Sequence, residues 1–381
     1  MKYFAASALL GYVSARLVNP EQPNHLPLSA DFKPFVRKAL APVNDIPETW
    51  IWNNVNGTNF LTNVRNQHVP QYCGSCWAHA ATSSFSDRIK IARNAAWPDI
   101  NIAPQILIDC MHTSLGCHGG NAATAYQWMS KNEMTDETCS IYTGRGLDNG
   151  GVCSPMTKCR NCTPGEACIV PDQYYVYHTD EYGLVSGEEN MIQEIYQRGP
   201  IACGVAVPMS LEEYTGGVYC DDTGDQNIVH DISVVGFGVT EDGQKYWTVR
   251  NSWGTHWGEG GFFRVCRGVN NIAIESSCSW ATPLDTWTEG TQHITTPDEK
   301  THRLNDQTVY PFPQPVYTPT NVSESFLPKE NNGCRVERAS FPGGEKKNVA
   351  HAWDLIKAED LPANVDWRNM NGKNYMSWNK N

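Results

Sequence analysis

The first 15 residues, MKYFAASALLGYVSA, set one Lys ahead of a short apolar stretch that ends in small residues. Val13 and Ala15 fit the positions a signal peptidase reads, and the run is too short to span a bilayer. A cleaved secretory signal is therefore expected over 1–15, against the alternative of a buried N-terminal helix. Residues 16–45 are polar, contain Pro and lack Cys, which reads as a short pro-segment rather than a packed unit. From Ile46 to about Asp285 the chain is dense in Cys, Trp, Gly and Tyr, as a folded domain should be. Inside it, CWAHAATSSFSDRIKIARN (76–94) is Ala-rich, with Phe85 and Ile89 four apart and Pro98 just beyond. This predicts a long helix with Cys76 in its first turn. DISVVGFGV (231–239) and KYWTVRN (245–251) are β-branched and aromatic and flank a Glu-Asp-Gly turn; they predict strands, with GGFFRVCRG (260–268) as a third.

Residues 286–333 turn rich in Thr, Pro and Asn and lose apolar periodicity, the pattern of a linker or disordered tail. The C-terminus then repeats an earlier segment. DIPETWIWNNVNGTNFLTNVRN (45–66) aligns without a gap against DLPANVDWRNMNGKNYMSWNKN (360–381). The constant offset reads as a tandem duplication cut short before the counterpart of Gln67. Residues 334–381 are thus expected to be the start of a second copy, without its chemistry.

Net charge is −12 and no Lys/Arg cluster is present, which disfavours nucleic-acid and anionic-membrane binding. A hydrophobic content of 40% permits a real core. Fourteen cysteines behind a secretory signal are expected to be mostly paired. Asn56-Gly57-Thr58 and Asn321-Val322-Ser323 are glycosylation acceptors by pattern, as is Asn161-Cys162-Thr163.

The chemistry concentrates in NQHVPQYCGSCWA (66–78). Its Cys-x-x-Cys pair has three readings. A redox motif wants a thioredoxin-like βαβ context, absent here. A zinc half-site wants a second pair at matching spacing; Cys159 and Cys162 offer one, but within a Cys-dense run better read as disulfides. The third reading is a half-cystine at Cys73 beside a nucleophile at Cys76. QYCGSCWA together with IVHDISVVGFG, VRNSWGTHWGEGGF and GCHGGN, in that relation along the chain, resembles the papain-like cysteine peptidases.

That resemblance implies an α+β, two-lobed papain-like fold over 46–285, with a helical lobe, a β-barrel-like lobe and the cleft between them. It implies Cys76 as nucleophile, His230 as its base, Asn251 as orienter and Gln67 as oxyanion donor, with Gln71 competing for the last role. Gly119, Gly120 and Trp253 are implied substrate contacts, and Trp253 and Trp257 are expected to shield the His–Asn pair. Physical chemistry supports the assignment. A helix N-terminus and a neighbouring imidazolium together bring a thiol from about 8.5 into the range of roughly 3.5 to 7.5, so a thiolate is expected at Cys76. The implied disulfides are Cys73–Cys117, Cys110–Cys153, Cys139–Cys159, Cys162–Cys168 and Cys203–Cys278, with Cys220 and Cys266 left for an extra bridge.

Between Gln67 and Cys73 lie five residues where most of the family has two. The inserted His68-Val69-Pro70 resembles the mini-loop of the cathepsin X (cathepsin Z) type, in which the His binds the carboxylate of the substrate's last residue. This implies a carboxypeptidase that removes single residues. Pro70 stiffens the loop and Val69 before it is biased extended. With an ordinary imidazole value near 6.5, His68 is expected to grip a carboxylate more firmly in acid. The family pattern departs in the pro-segment: a capping Cys is expected there, and 16–45 has none. Cys334, in a stretch resembling a second pro-segment, is either a stranded thiol or a cap for Cys76. The first copy also reads Trp-Ile-Trp-Asn at 50–53 where the second keeps Val-Asp-Trp-Arg, which puts local packing in question.

Three functions are weighed. The first is a lysosomal or secreted cysteine carboxypeptidase made as a zymogen, acting as a monomer on peptides with a free C-terminus. The second is a papain-like endopeptidase with a vestigial mini-loop, and the third a non-catalytic binding protein. None implies a metal or cofactor.

Overall fold

A computed structural model of the protein describes residues 16–18, 23–162, 167–287, 290–301, 365–370 and 375–377. Described residues up to 301 belong to one unit and those from 365 to 377 to a second. The expected signal at 1–15, most of the 286–333 and 334–381 spans, Asn321 and Cys334 lie outside the described residues.

The first unit opens with β1 (Trp50–Ile51) and then builds a helical lobe from α1 (Cys76–Ala92), α2 (Pro104–Cys110), α3 (Ala122–Met129) and the short α4 (Pro155–Lys158). Helix α1 stops two residues short of the predicted end because Asn94 and Ala95 turn to positive φ, which no helix continues. Its apolar face, Trp77, Ala81, Phe85 and Ile89, is wholly buried against Ile102, Ile106 and Leu107, forming a core of its own. Each such large side chain contributes roughly 1.5–3 kcal/mol by leaving water. Helix α3 starts where Asn121 accepts from Ala123 and Thr124 N–H at 3.0 and 3.3 Å, an N-cap that the GGN string encodes.

The second lobe follows from β2 (Gln173–Val176), β3 (Thr179–Val185), α5 (Glu188–Arg198), β4 (Ile201–Val205), α6 (Met209–Glu212), β5 (Val218–Tyr219), β6 (His230–Val239), β7 (Lys245–Arg250), β8 (Phe262–Cys266) and β9 (Cys278–Pro283). One sheet runs β3-β9-β4-β6-β7-β8-β5, with β1 also pairing β6. The β6–β7 hairpin is antiparallel, from Ser233 opposite Arg250 to Val239 opposite Lys245. A second core of Val205, Val234, Phe237, Trp247, Val249 and Phe263 fills this lobe. Strands run where alternating and β-branched residues predict them; His230 proves to be the first residue of β6.

The span read as a linker from 286 begins otherwise. Strand β10 (Thr291–Ile294) pairs antiparallel with β2, and helix α7 (Pro297–Thr301) follows. His293 stacks on Tyr174 and bonds Glu133 at 2.9 Å and Glu299 at 3.1 Å, and Thr291 donates to Asp285 at 2.6 Å, so side chains anchor a segment whose composition carries no periodic signal. Six disulfides join Cys73–Cys117, Cys110–Cys153, Cys139–Cys159, Cys162–Cys168, Cys203–Cys278 and Cys220–Cys266. Among the described residues Cys76 is the free cysteine. Asn56 sits exposed in the Val55–Thr58 turn. In the second unit Trp367, which aligns with Trp52, is 55% exposed, whereas Trp52 is 7% exposed and donates to the Ile195 carbonyl at 2.8 Å.

The two lobes meet along α1. Asp87 on α1 receives both guanidinium nitrogens of Arg250 on β7, at 2.5 and 3.2 Å, and both groups are buried. Arg88 reaches the other way, to Glu194 on α5 and the Gly199 and Pro200 carbonyls. These contacts fix the helix that begins at Cys76 against the strand that ends one residue before Asn251.

Candidate active site

Cys76 opens α1 directly after the disulfide-held Cys73. Ser75 precedes the helix but does not cap it; its hydroxyl turns to Tyr142 at 2.7 Å and His79 at 3.2 Å. The first-turn N–H groups are thereby left for the sulfur, and those of Cys76 and Trp77 do favour its ionised form. From the other lobe, the backbone N–H of Asp231 also points at the sulfur, so the start of β6, where His230 precedes Asp231, lies against the start of α1.

His230 and Asn251 are bonded, Nε2 to Oδ1, at 2.9 Å. The Asn251 carbonyl oxygen also accepts from the Ser252 N–H at 2.8 Å, so the side chain is fixed with its oxygen toward the ring. His230 Nδ1 is buried and has no partner among the described residues, leaving that nitrogen for the thiol. The indole of Trp253 stacks on the imidazole, centroids 4.9 Å apart, and Trp257 packs edge-on behind it. Trp253 is 1% exposed, so in this state it backs the imidazole and presents no open face to a substrate.

Gln67 is fully buried and held on four sides. Its Oε1 accepts from Ser252 Oγ at 2.6 Å, its Nε2 donates to the Cys73 carbonyl at 3.0 Å, its N–H donates to the Ser252 carbonyl at 2.9 Å, and its carbonyl accepts from Tyr142 at 2.7 Å. One Nε2 hydrogen remains for the space near Cys76. Gln71, the competing candidate, instead donates to the Gly144 carbonyl.

His68 follows Gln67 and its ring stacks on Tyr72, centroids 4.9 Å apart. The loop is tied down at its base by Asn66, whose carboxamide oxygen accepts from the His68 N–H at 3.0 Å and whose backbone bridges Trp253. His68 Nε2 is buried with no partner among the described residues. Burial, and then the charge of His230, lowers its pKa to about 4. The expectation of a His68 charged near 6.5 is thus corrected: burial and the nearby His230 hold its pKa well below that value.

The thiolate expectation is corrected as well. Cys76 is fully buried, and burial first, the Asp231 carboxylate second, push its pKa well above the ordinary value despite the helix N–H groups. Burial likewise lowers His230 to about 4, against the Asn251 hydrogen bond and the Asp231 charge. Burial thus works against charge on both partners. Upstream, residues 23–28 lie across the cleft. Asn24 N–H donates to the Val229 carbonyl at 3.0 Å, Gly120 N–H to the Asn24 carbonyl at 3.1 Å, and Leu26 N–H to the Gly120 carbonyl at 2.7 Å. The segment spans the two lobes and sits on the GCHGGN string. Asn24 also touches the position a side chain on Gly74 would occupy, and Gly120 lies so close to the Trp77 ring that only glycine fits. Sequence reasoning placed Gly119 and Gly120 in the site and missed Asn24, His25, Tyr142, Ser252 and Asp231, because isolated polar residues carry no spacing signal.

The arrangement can carry nucleophilic acyl transfer: a thiol, a ring nitrogen oriented by an amide, and N–H donors beside the sulfur. The sequence profile described as papain family cysteine protease matches residues 46–282. The chain is 43% identical over 249 residues to cathepsin Z of Onchocerca volvulus, covering 63% of this chain and 79% of that protein. It is 32% identical over 277 residues to cathepsin B-like cysteine proteinase 6 of Caenorhabditis elegans, covering 66% and 71%. Among solved structures it is similar to digestive procathepsin L2 proteinase from Tenebrio molitor larval midgut. That match has a TM-score of 0.56 and 27% identity, covering 69% of this chain and 80% of that one. It is also similar to the proform of the Amb a 11 cysteine protease, a ragweed pollen allergen, with a TM-score of 0.52 and 28% identity, covering 64% and 67%. With its two lobes, its thiol at a helix start and its His–Asn pair, this chain belongs to the papain family of cysteine proteases.

Proposed function

We propose that the protein is the zymogen of a cysteine carboxypeptidase that removes single residues from peptide C-termini. The observation that supports this most directly is the His68 loop, anchored by Asn66 beside His230 with an unpartnered buried Nε2. In this reading the Cys76 proton passes to His230 Nδ1, and the sulfur attacks the last peptide carbonyl. The oxyanion is met by the Gln67 side-chain amide and the Cys76 N–H. Imidazolium at His230 then protonates the departing amine, and water, deprotonated by the same ring, hydrolyses the thioester and regenerates the thiol. Protonated His68 pairs with the terminal carboxylate, Gly119 and Gly120 meet the substrate backbone, and Trp253 keeps water from the His–Asn pair.

The same reading takes 1–15 as a signal, 16–45 as the pro-segment covering the cleft, 46–285 as the peptidase domain and 334–381 as a second-copy fragment. It makes the protein a monomeric lysosomal or secreted glycoprotein, carrying sugar at Asn56 and Asn321. Among the described residues no helix is long and apolar enough to cross a membrane. The test uses two peptides of one sequence, one with a free C-terminus and one amidated, digested at pH 5 by the full chain after limited proteolysis. Single-residue loss from the free acid alone is the expected result, with His68→Ala raising KM for that substrate. Equal internal cleavage of both would replace the proposal with an endopeptidase, and failure of Cys76 to react with an epoxide probe would end it.

A further inference from the structure

Asp231 faces a cavity that the reaction as described does not use. It is 2% exposed, on the strand residue next to His230 and opposite Gly204 on β4. A cavity of about 170 Å³ lies there, lined among others by Leu28, Ala122, Ala202, Asp231 and Ser279. One carboxylate oxygen, Oδ1, bonds His25 Nδ1 of the N-terminal segment at 2.9 Å. The other, Oδ2, is buried with no partner among the described residues. No Lys or Arg of the described residues pairs with this carboxylate; its one ion-pair partner arrives from the segment that covers the cleft.

That segment crosses the cleft, with His25 bridging Gly120 in parallel register. Its backbone bonds Gly120 on one side and Val229 on the other, with Asn24 at the Cys73–Cys76 turn and His25 next along. The His25 ring lies against Gly204, where an added Cβ would stand 3.2 Å from its Cε1. A buried carboxylate with one free oxygen is costly to leave unpaired. When the segment departs, Asp231 is left facing the cavity with both oxygens open.

Resting on the peptidase reading above, we propose that Asp231 is a specificity-determining residue that selects substrates with a cationic side chain one residue before the one that acylates Cys76. His25 is the built-in occupant of that subsite. A guanidinium supplies two parallel N–H donors and would satisfy Oδ1 and Oδ2 together, which His25 does not.

The test compares free-acid peptides that differ only at the second residue before the scissile bond, as Arg, Lys, Gln, Leu or Glu, with the full chain activated by limited proteolysis. Arg is expected to exceed Gln in kcat/KM by about tenfold to a hundredfold, as a charge-assisted bond implies. Asp231→Asn should collapse that ratio while cleaving the Gln peptide. The ratio is read because Asp231 also acts on Cys76 and His230, which changes all substrates alike. Should the variant not fold, synthetic segments 23–45 with His25, Arg, Gln or Leu at that position are tested as inhibitors of the unaltered enzyme, and Arg is expected to bind tightest. A Leu or Glu preference, or inhibition indifferent to position 25, overturns the inference. Absence of cleavage of every peptide instead condemns the peptidase reading on which it rests.

Discussion

At the scale of single residues, the site is a set of hydrogen bonds that remove choices. Gln67 cannot turn away from the thiol because Ser252, Tyr142 and the Cys73 carbonyl hold it. Replacing it with Ala should lower kcat by about 10²–10³ with a smaller change in KM, as losing one oxyanion donor does; steady-state kinetics on the free-acid peptide checks this. His68 sets a pH dependence of its own. In the covered chain its pKa is lowered to about 4, by burial first and His230 second. Binding a carboxylate needs the protonated ring, so substrate binding takes up a proton wherever the unbound ring is neutral. KM for the free acid should therefore rise with pH by up to tenfold per unit above the pKa of the unbound ring until the pKa of the complex is passed. KM for the amide should stay flat, as should that of His68→Gln toward either substrate. An equal slope for both peptides would remove His68 from substrate binding.

Among elements, the site depends on α1 and β7 keeping their mutual position. Asp87 and Arg250 clamp them with both charges buried, and Thr62 adds two more bonds to Asp87 at 2.7 and 2.8 Å. Removing one partner strands a buried charge, so Asp87→Ala should cost about 3–5 kcal/mol in urea unfolding. The paired change Asp87→Leu with Arg250→Met should cost less, because it leaves no ion behind. Helix α1 and the β6–β7 hairpin could be read from the chain, since Ala content, the Phe85–Ile89 spacing and a β-branched run are local signals. Strand β10 could not, because what makes Thr291–Ile294 a strand is the free edge of β2 and the Glu133–His293 bond, both distant in sequence. Trp52 and Trp367 teach the same lesson from one motif. The indole that finds the Ile195 carbonyl is buried, and its aligned counterpart is exposed.

For the whole molecule, the segment that covers the cleft carries a titratable group of its own, His25, bonded to Asp231 at 2.9 Å. Burial pulls its pKa down, but the charge and hydrogen bond of Asp231 raise it overall above 6.5. A raised pKa stabilises the covered state fully below the ordinary value and loses that contribution as pH rises through the paired value. Inhibition by an added 23–45 segment should therefore weaken as pH climbs above about 6.5, and His25→Gln should remove that limb; a pH series of inhibition constants measures it. An unchanged slope in the variant would assign the dependence to another group.

Local strings determined a great deal here. QYCGSCWA, IVHDISVVGFG and VRNSWGTHWG name the thiol, the imidazole and the amide because their chemistry needs those residues in those settings, and GCHGGN encodes both a helix cap and a glycine ledge. The inserted His68-Val69-Pro70 was equally visible as a length difference. Tertiary structure alone decided the pKa directions of Cys76, His230 and His68, since burial and the charges of Asp231 and His230 come from groups brought together in space. It alone also joined His25 to Asp231, 206 positions apart. Spacing along a chain records which side chains a local element will present. Desolvation and Coulomb energy depend on distance in space, and no spacing along the chain records that.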